Sequence, residues 1–405
     1  MTISLTFTRR FILFLTILIS GGNLLFPRLF ILGVVVFCYF IYFKGQLSLK
    51  VATVPIVFLL TLLFIISIFH PYSYDISSLT IRFANFFAAF LLLDIYLKHS
   101  LADLKRDLYV LMKFMPLQAI LTVVLATYLN FLFIDITTDS TSFYSFLGVF
   151  NYHITIDNGA LIRPNGFFFE PGVFQLYLNL FLYLSLFVYK NKVNSCLAII
   201  AILLTKSSTG VLILAIILGW YFIRYYINKG SLLKRFTRLI IAVVLFLGFV
   251  FLAWDNINDK MHGEARGSFL ARQYDTITGF NVAVANPFLG VGFKYDNYYA
   301  AAEKLGYRDT LFNGERTRNR DNTNGIVMLF YSIGTPLALI FVFGLFRQKL
   351  LDDKFLVALV IFISLFTESL VFTPFFLLFI FSGLTFFTKK KSDKYFYRFE
   401  DNKIE

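Results

Sequence analysis

The first residues that could do chemistry lie in the segment Arg163-Pro-Asn-Gly-Phe-Phe-Phe-Glu170-Pro171-Gly172, directly before a long apolar run. Arg163 is the only Lys or Arg between positions 134 and 167, and a guanidinium can hold a phosphate through two parallel hydrogen bonds. The alternative is an arginine that only extends its charged end to the membrane boundary. Pro171 suits the first turn of a helix, whose dipole favours a carboxylate at Glu170. We predict that Arg163 binds an anion and that Glu170 is a catalytic base or a sugar contact, or simply stabilises the helix start.

A second group of charges consists of Arg316, Arg318 and Arg320, which alternate along the chain and are followed by Asp321. Like charges this close repel unless an anion or carboxylates lie among them. Neighbouring acidic residues could neutralise them, in which case the run is a solvated salt-bridge cluster. The functional alternative is that Arg318 and Arg320 bind an anion and that Asp321 serves as a base or a sugar contact.

A third group is Arg266-Gly-Ser-Phe-Leu-Ala-Arg272, which precedes Asn286-Pro-Phe-Leu-Gly-Val-Gly292. The pattern predicts a helix closed by a turn, because proline and glycine supply the backbone conformations that turns need. Arg266 and Arg272 have the same two interpretations as the arginines above. We take Arg272 as an anion ligand and rank Arg266 lower.

Four more residues are lower-ranked candidates. Lys206 lies in a short polar turn, Lys206-Ser-Ser-Thr-Gly210, which could add a positive charge to a site or simply connect two helices. Glu368 stands within an apolar run, where a carboxylate is a functional candidate that should pair with an arginine or a hydroxyl. His153 could act as a base, as could His262, although a single histidine is more often a loop residue with a structural hydrogen bond.

Several classes of site have no support in the sequence. There is no Walker A motif, no dinucleotide-binding glycine motif, no HExxH and no Asp-x-Asp pair, and the four histidines are not spaced to share a metal. We therefore expect no metal and no other cofactor. A reaction here would use a substrate that has been activated beforehand.

The composition is that of a polytopic membrane protein. Charged residues make up 15% of the chain and hydrophobic residues 58%, with a mean hydropathy of +0.73, whereas soluble domains are about 25% charged. The net charge of +13 comes from short basic clusters between apolar runs, which fits membrane topology and not nucleic-acid binding. Both cysteines, Cys38 and Cys196, fall inside apolar runs, so neither a disulfide framework nor a thiolate metal site is indicated.

Twelve apolar runs approach the length of about 20 residues that a membrane-crossing helix needs, so we predict an all-α polytopic membrane protein with about 12 transmembrane helices. They are residues 11–26, 29–43, 51–69, 81–97, 108–133, 168–189, 193–204, 209–227, 239–253, 323–346, 355–370 and 372–387.

The distribution of charge predicts the orientation. With the amino terminus in the cytoplasm, the inner connections hold most of the Lys and Arg residues, as short cytoplasmic loops usually do. The short outer connections then hold only Arg28, Arg82, Arg163 and Lys206. This orientation places both long polar segments outside. The predicted organisation is helices 1–9 in 1–253 with a smaller outer loop 134–167, a large outer loop 254–322, helices 10–12 in 323–388 and a basic cytoplasmic tail 389–405.

Together these features resemble the O-antigen polymerase and O-antigen ligase superfamily of bacterial inner-membrane glycosyltransferases. The matching parts are the 163–172 segment, the Thr205-Lys206-Ser-Ser-Thr-Gly turn, Arg272 with the Asn-Pro-Phe-Leu-Gly-Val-Gly segment, and Asn324 followed ten residues later by Gly334. Ligases of this superfamily usually carry a histidine directly before the asparagine that opens the helix after the large loop. Here Thr323 stands at that position, which favours a polymerase.

The resemblance implies a substrate and a place of action. Such enzymes use glycan repeat units linked to undecaprenyl diphosphate, act at the periplasmic face of the inner membrane and need no metal. Arginines such as Arg163, Arg272, Arg318 and Arg320 would hold the diphosphate, and a carboxylate or histidine would take the proton of the attacking hydroxyl. Membrane lipid and a chain-length regulator protein are further expected partners, and nucleic acid is not.

Three functions remain open from the sequence. The first is a polymerase that joins lipid-linked repeat units, and the second is a ligase that transfers finished glycan to lipid A core. The third is a flippase for the lipid-linked unit. Flippases tend to bind near the membrane midplane between repeat-related halves, so the 68-residue outer segment from Trp254 to Asp321 and the absence of an internal repeat argue against the third.

Overall fold

The computed structural model describes residues 5–22, 27–42, 53–72, 75–137, 142–155, 161–227, 266–307 and 322–386, together with single residues between 237 and 254. Most of these residues are helical, which confirms the predicted α-helical class apart from one small sheet. Most of the predicted span 239–253, and all of the basic tail, lie outside the described residues.

The helices before the first long polar segment are α1 (Leu5–Gly21), α2 (Arg28–Tyr42), α3 (Val54–Ile68), α4 (Ile76–Lys98), α5 (Leu101–Met112) and α6 (Phe114–Tyr128). Those after it are α7 (Pro171–Tyr183), α8 (Lys192–Leu204), α9 (Ser208–Phe222), α10 (Arg266–Ala285), α11 (Tyr295–Lys304), α12 (Gly325–Phe346), α13 (Lys354–Thr367) and α14 (Pro374–Leu384).

Five helical stretches of the described chain are long and apolar enough to cross a membrane. They are Ile76–Lys98, Leu101–Tyr128, Pro171–Val188, Ser208–Tyr225 and Gly325–Phe346, and shorter apolar helices accompany them. This agrees with a polytopic membrane protein, whereas the predicted number of 12 spans is not confirmed. The predicted span 108–133 needs correction, because the helical stretch runs from Leu101 to Tyr128 with a turn at Lys113.

The segment after α6 forms a small antiparallel sheet that we did not predict. Its strands are β1 (Ile134–Thr137), β2 (Ser142–Phe146), β3 (Phe150–Thr155) and β4 (Leu161–Pro164), hydrogen-bonded in that order. Aromatic and β-branched residues favour strands here, and Leu147 and Gly148, both with positive φ, make the tight turn between β2 and β3. The sheet packs on α6, and β4 leads directly to the start of α7.

Helix α7 is the buried centre of the bundle. It begins where the sequence predicts, with Glu170 in an extended conformation as the N-cap and Pro171 in the first turn. Every residue of α7 is buried except Gly172, which is of intermediate exposure. The position of Glu170 is therefore set by a rigid core helix and not by a loop.

A break in α12 joins that helix to the turn after α10. Gly334 has φ 77° and ψ 160°, and Pro336 follows within the helix. The backbone groups that the break frees are paired by the turn: Val291 N–H donates to Tyr331 O at 2.7 Å, Gly292 N–H donates to Ser332 O at 3.0 Å, and Thr335 N–H donates to Pro287 O at 2.7 Å. These three bonds satisfy main-chain groups that a buried kink would otherwise leave unpaired.

No side chain fits at the contact between the turn and the broken helix. A Cβ added to Gly290 would lie 2.4 Å from Tyr331 O, and one added to Gly334 would lie 2.2 Å from Phe288 O. Both glycines also have positive φ, which glycine adopts without steric cost. The 286–292 turn and the part of α12 around Gly334 thus form the two sides of one close backbone contact.

Candidate functional site

The candidate site is built around Glu368, in the extended connection between α13 and α14, where it is 6% exposed. The helix within the predicted span 355–370 ends at Thr367, so Glu368 lies in the connection after it and not within a helix. A Cβ on Gly172 would lie 2.2 Å from Glu368 Oε1, and a Cβ on Gly325 would lie 2.6 Å from Glu368 O. The first turns of α7 and α12 therefore pack directly against this carboxylate and its backbone.

Two arginines from separate segments act on Glu368. Arg272, on α10, has Nη2 3.5 Å from Glu368 Oε1, and its side chain is 40% exposed. Arg163, on β4, is close enough for its charge to favour the ionised form of Glu368. The structure thus brings the charges of Arg163 and Arg272 to one carboxylate. Of the two kinds of partner expected for Glu368, an arginine or a hydroxyl, it shows an arginine.

The turn between α8 and α9 adds a third positive charge. Arg163 Nε donates to Thr205 O at 3.0 Å, which joins β4 to this turn. The next residue, Lys206, has φ 49°, a conformation that is uncommon for a residue with a side chain. Burial lowers the pKa of Lys206, and the neighbouring charge of Arg163 acts in the same direction. Lys206 therefore lies beside Arg163.

The carboxylates of the site influence each other. Burial raises the pKa of Glu368, and the charge of Glu170 acts in the same direction, whereas Arg272 and Arg163 oppose the rise. Among the described residues, the cluster contains three cations (Arg163, Lys206 and Arg272) and two carboxylates (Glu170 and Glu368). A group of this kind, partly open through Arg272, can accept an anionic ligand while keeping a carboxylate nearby for proton transfer.

The sheet holds the segment between Arg163 and Glu170 in place. His153 pairs with Arg163 across β3 and β4, and its Nε2 lies 2.7 Å from Phe169 O. Asn165 Nδ2 also donates to Phe169 O, at 3.3 Å. A carbonyl oxygen only accepts hydrogen bonds, so Nε2 of His153 must carry a hydrogen. In this arrangement His153 positions the backbone before Glu170, and its Nε2 does not offer a lone pair for catalysis.

Asp275 and Thr323 form a pair near the site that we did not predict from the sequence. Asp275 is 4% exposed, and its Oδ2 accepts hydrogen bonds from Thr323 N–H at 3.1 Å and from Thr323 Oγ1 at 2.9 Å. Asn322 Nδ2 donates to Asp275 O at 2.7 Å. Asp275 follows Arg272 by three residues and so lies on the same helix face. This spacing could have identified Asp275 as a neighbour of the site. These bonds tie the start of α12 to α10, so they position Arg272 relative to Gly325 and Glu368.

Other predicted site residues are not placed by the structure. Arg318, Arg320 and Asp321 lie outside the described residues, as do Arg316 and His262. Arg266 begins α10, and its side chain is not described. Among the described residues, no group of three or more His, Cys, Asp or Glu side chains is arranged to hold a metal ion.

Comparison with known proteins identifies one family. Residues 193–342 match the family model described as O-Antigen ligase. The matched segment runs from α8 into α12 and includes Lys206, Arg272 and the contact between the 286–292 turn and the broken helix. Arg163, Glu170 and Glu368 lie outside it. No curated protein and no solved structure matches the chain significantly. Residues 193–342, somewhat more than a third of the chain, are thus similar to the O-Antigen ligase family.

Proposed function

We propose that the protein is a polysaccharide repeat-unit polymerase of the bacterial inner membrane. It would transfer glycan from undecaprenyl diphosphate to another lipid-linked repeat unit at the periplasmic face. The observation that carries the proposal is the convergence of Arg163 and Arg272 on buried Glu368 beside Glu170, at one end of an apolar helix bundle. The orientation follows from the charge distribution, which leaves both termini in the cytoplasm.

In the proposed reaction, positively charged side chains stabilise the leaving diphosphate, a task that a metal ion performs in many other glycosyltransferases. When the glycosidic bond to the diphosphate breaks, the leaving diphosphate gains negative charge. Guanidinium groups that bind more strongly as this charge develops lower the barrier to the reaction. Arg163, Arg272 and Lys206 are the described cations in position to do so, and Arg318 and Arg320 stay proposed ligands. The polyprenyl chain would lie along the lipid-facing surface of the helices.

A ligase that transfers glycan to lipid A core is the second candidate, because the matching family model is described as O-Antigen ligase. The polymerase is preferred because Thr323 stands where ligases of the superfamily usually carry a histidine. In this chain the hydroxyl of Thr323 donates a hydrogen bond to Asp275. The threonine thus has a structural role here, in linking the start of α12 to α10. Both candidates would use the same donor, and they differ in the acceptor.

A deletion strain separates the candidates on a lipopolysaccharide gel. Loss of a polymerase leaves lipid A core capped with one repeat unit. Loss of a ligase leaves bare core, with long chains still attached to the carrier lipid. Loss of a flippase leaves the lipid-linked unit on the cytoplasmic face. We expect the single-repeat band, and its replacement by bare core would contradict the polymerase proposal.

A further inference from the structure

Glu368 has surroundings that distinguish it from a surface carboxylate. It is 6% exposed, and it lies between the first turns of α7 and α12, which approach through Gly172 and Gly325 without side chains. Its partner Arg272 is 40% exposed, so the pair lies at the boundary between protein and solvent. A ligand that replaces solvent on Arg272 would be placed next to Glu368.

The charges that face Glu368 come from several elements. Arg272 approaches from α10, Arg163 from β4 and Glu170 from the start of α7. The two arginines are the proposed diphosphate ligands, so Glu368 lies beside the bond that would break. A catalytic base needs this proximity, because it must reach the proton of a hydroxyl that attacks the same carbon.

We propose that Glu368 is the catalytic base, a role that rests on the function proposed above. An ionised Glu368 would accept the proton of the acceptor sugar hydroxyl as its oxygen bonds to the anomeric carbon of the donor. The bond from that carbon to the diphosphate oxygen breaks, and the diphosphate leaves with the electron pair. Arg163 and Arg272 hold the charge that it gains. The proton then passes from Glu368 to water, which restores the carboxylate.

This role agrees with the charge environment of Glu368. Burial, together with the charge of Glu170, raises the pKa of Glu368 well above its ordinary value, against the opposing effect of the two arginines. A base with a pKa near the working pH combines adequate ionisation with a strong tendency to take a proton. Because only the ionised form accepts a proton, the rate should rise with pH up to that pKa and then level off.

The decisive experiment compares Glu368→Gln with Glu170→Gln in the full-length protein reconstituted in liposomes. Turnover is measured with the lipid-linked repeat unit extracted from the deletion strain, and binding is measured with undecaprenyl diphosphate. We expect Glu368→Gln to lower kcat by about 100-fold or more, the usual contribution of a general base. Its affinity for undecaprenyl diphosphate should stay within about threefold of the wild type, because Arg163 and Arg272 remain. Glu170→Gln should lose much less activity.

The pH profile of the wild-type protein provides a test that does not depend on the folding of a variant. The rate should change about tenfold per pH unit on the acidic side of the profile. A rate that is independent of pH from about pH 6 to about pH 9 would overturn the assignment.

Other results would also overturn it. Near-wild-type turnover by Glu368→Gln would exclude Glu368 as the base, and a larger loss in Glu170→Gln would transfer the role to Glu170. Loss of undecaprenyl diphosphate binding along with turnover in Glu368→Gln would show that Glu368 only holds Arg272. If the wild-type protein neither bound undecaprenyl diphosphate nor extended the extracted unit, the proposed function itself would be wrong.

Discussion

Arg163 uses its guanidinium in a way that a lysine cannot copy. Its Nε donates to Thr205 O at 3.0 Å, while its charge acts on both Glu368 and Lys206. A lysine carries its charge on one terminal nitrogen and has no donor at the Nε position. Arg163→Lys therefore keeps the positive charge and removes the hydrogen bond to Thr205 O, so it separates these two contributions.

We predict that Arg163→Ala abolishes chain growth although the protein still inserts normally. Arg163→Lys should retain less than about one tenth of the wild-type activity, because a charge-assisted hydrogen bond contributes about 1.5–3 kcal/mol. The measurement is the length distribution of glycan on a gel from a complemented deletion strain. Arg106→Lys, a half-exposed arginine that pairs with Asp103 three residues earlier, is the matched control and should behave as the wild type. Long chains at the wild-type level from Arg163→Ala would remove Arg163 from the site.

Among the structural elements, the parts of the fold that depend on local sequence were predicted, and the parts that depend on distant pairing were not. Pro171 and the Pro/Gly turn at 286–292 were recognised because capping and turn residues act on their own backbone. The sheet was missed because its strands have only four to six residues and depend on pairing between them. The pairs Arg272 with Glu368 and Asp275 with Thr323 join residues far apart in sequence, so the sequence did not show which residues would meet.

The contact between the turn and the broken helix predicts which glycines tolerate a methyl group. Gly334→Ala and Gly290→Ala should each lower the free energy of unfolding by at least about 2 kcal/mol, because both have positive φ and no space for a Cβ. Gly33→Ala and Gly219→Ala are matched controls, since a Cβ at either position meets nothing within 4 Å. In a helix interior these changes should be neutral or stabilising by about 0.5–1 kcal/mol.

The measurement is the fraction of purified protein that remains monodisperse in detergent after heating, for all four variants. Equal heat resistance of Gly334→Ala and Gly33→Ala would contradict the contact. Activity of Gly334→Ala should also fall, because the turn follows the helix that carries Arg272.

On the scale of the whole molecule, charges are paired at the end of the bundle opposite the candidate site. Arg9 Nε donates to Asp107 Oδ2 at 2.5 Å and Arg10 Nε donates to Asp107 Oδ1 at 2.8 Å. Lys105 Nζ donates to Asp352 Oδ2 at 2.6 Å, which joins α5 to the connection before α13. These contacts link the amino-terminal helix to the later part of the chain. Basic residues gathered at this end agree with its predicted cytoplasmic location.

The predicted orientation can be tested by labelling single cysteines with a membrane-impermeant maleimide. The background is a variant in which Cys38 and Cys196 are replaced by serine. Asp135→Cys, an exposed position on β1, should label in intact spheroplasts, and Lys192→Cys, an exposed position at the start of α8, should label only after permeabilisation. The opposite pattern would invert the protein and place the candidate site in the cytoplasm.

The way in which α12 holds the 286–292 turn has a consequence for how such a protein can evolve. The contact is made by main-chain hydrogen bonds and by the close approach of Gly290 and Gly334. It therefore depends little on the side chains of the residues around it. The exposed side chains of α11 could change while the position of α10, and with it that of Arg272, stayed the same. One scaffold could in this way accept many changes around it without losing the placement of Arg272.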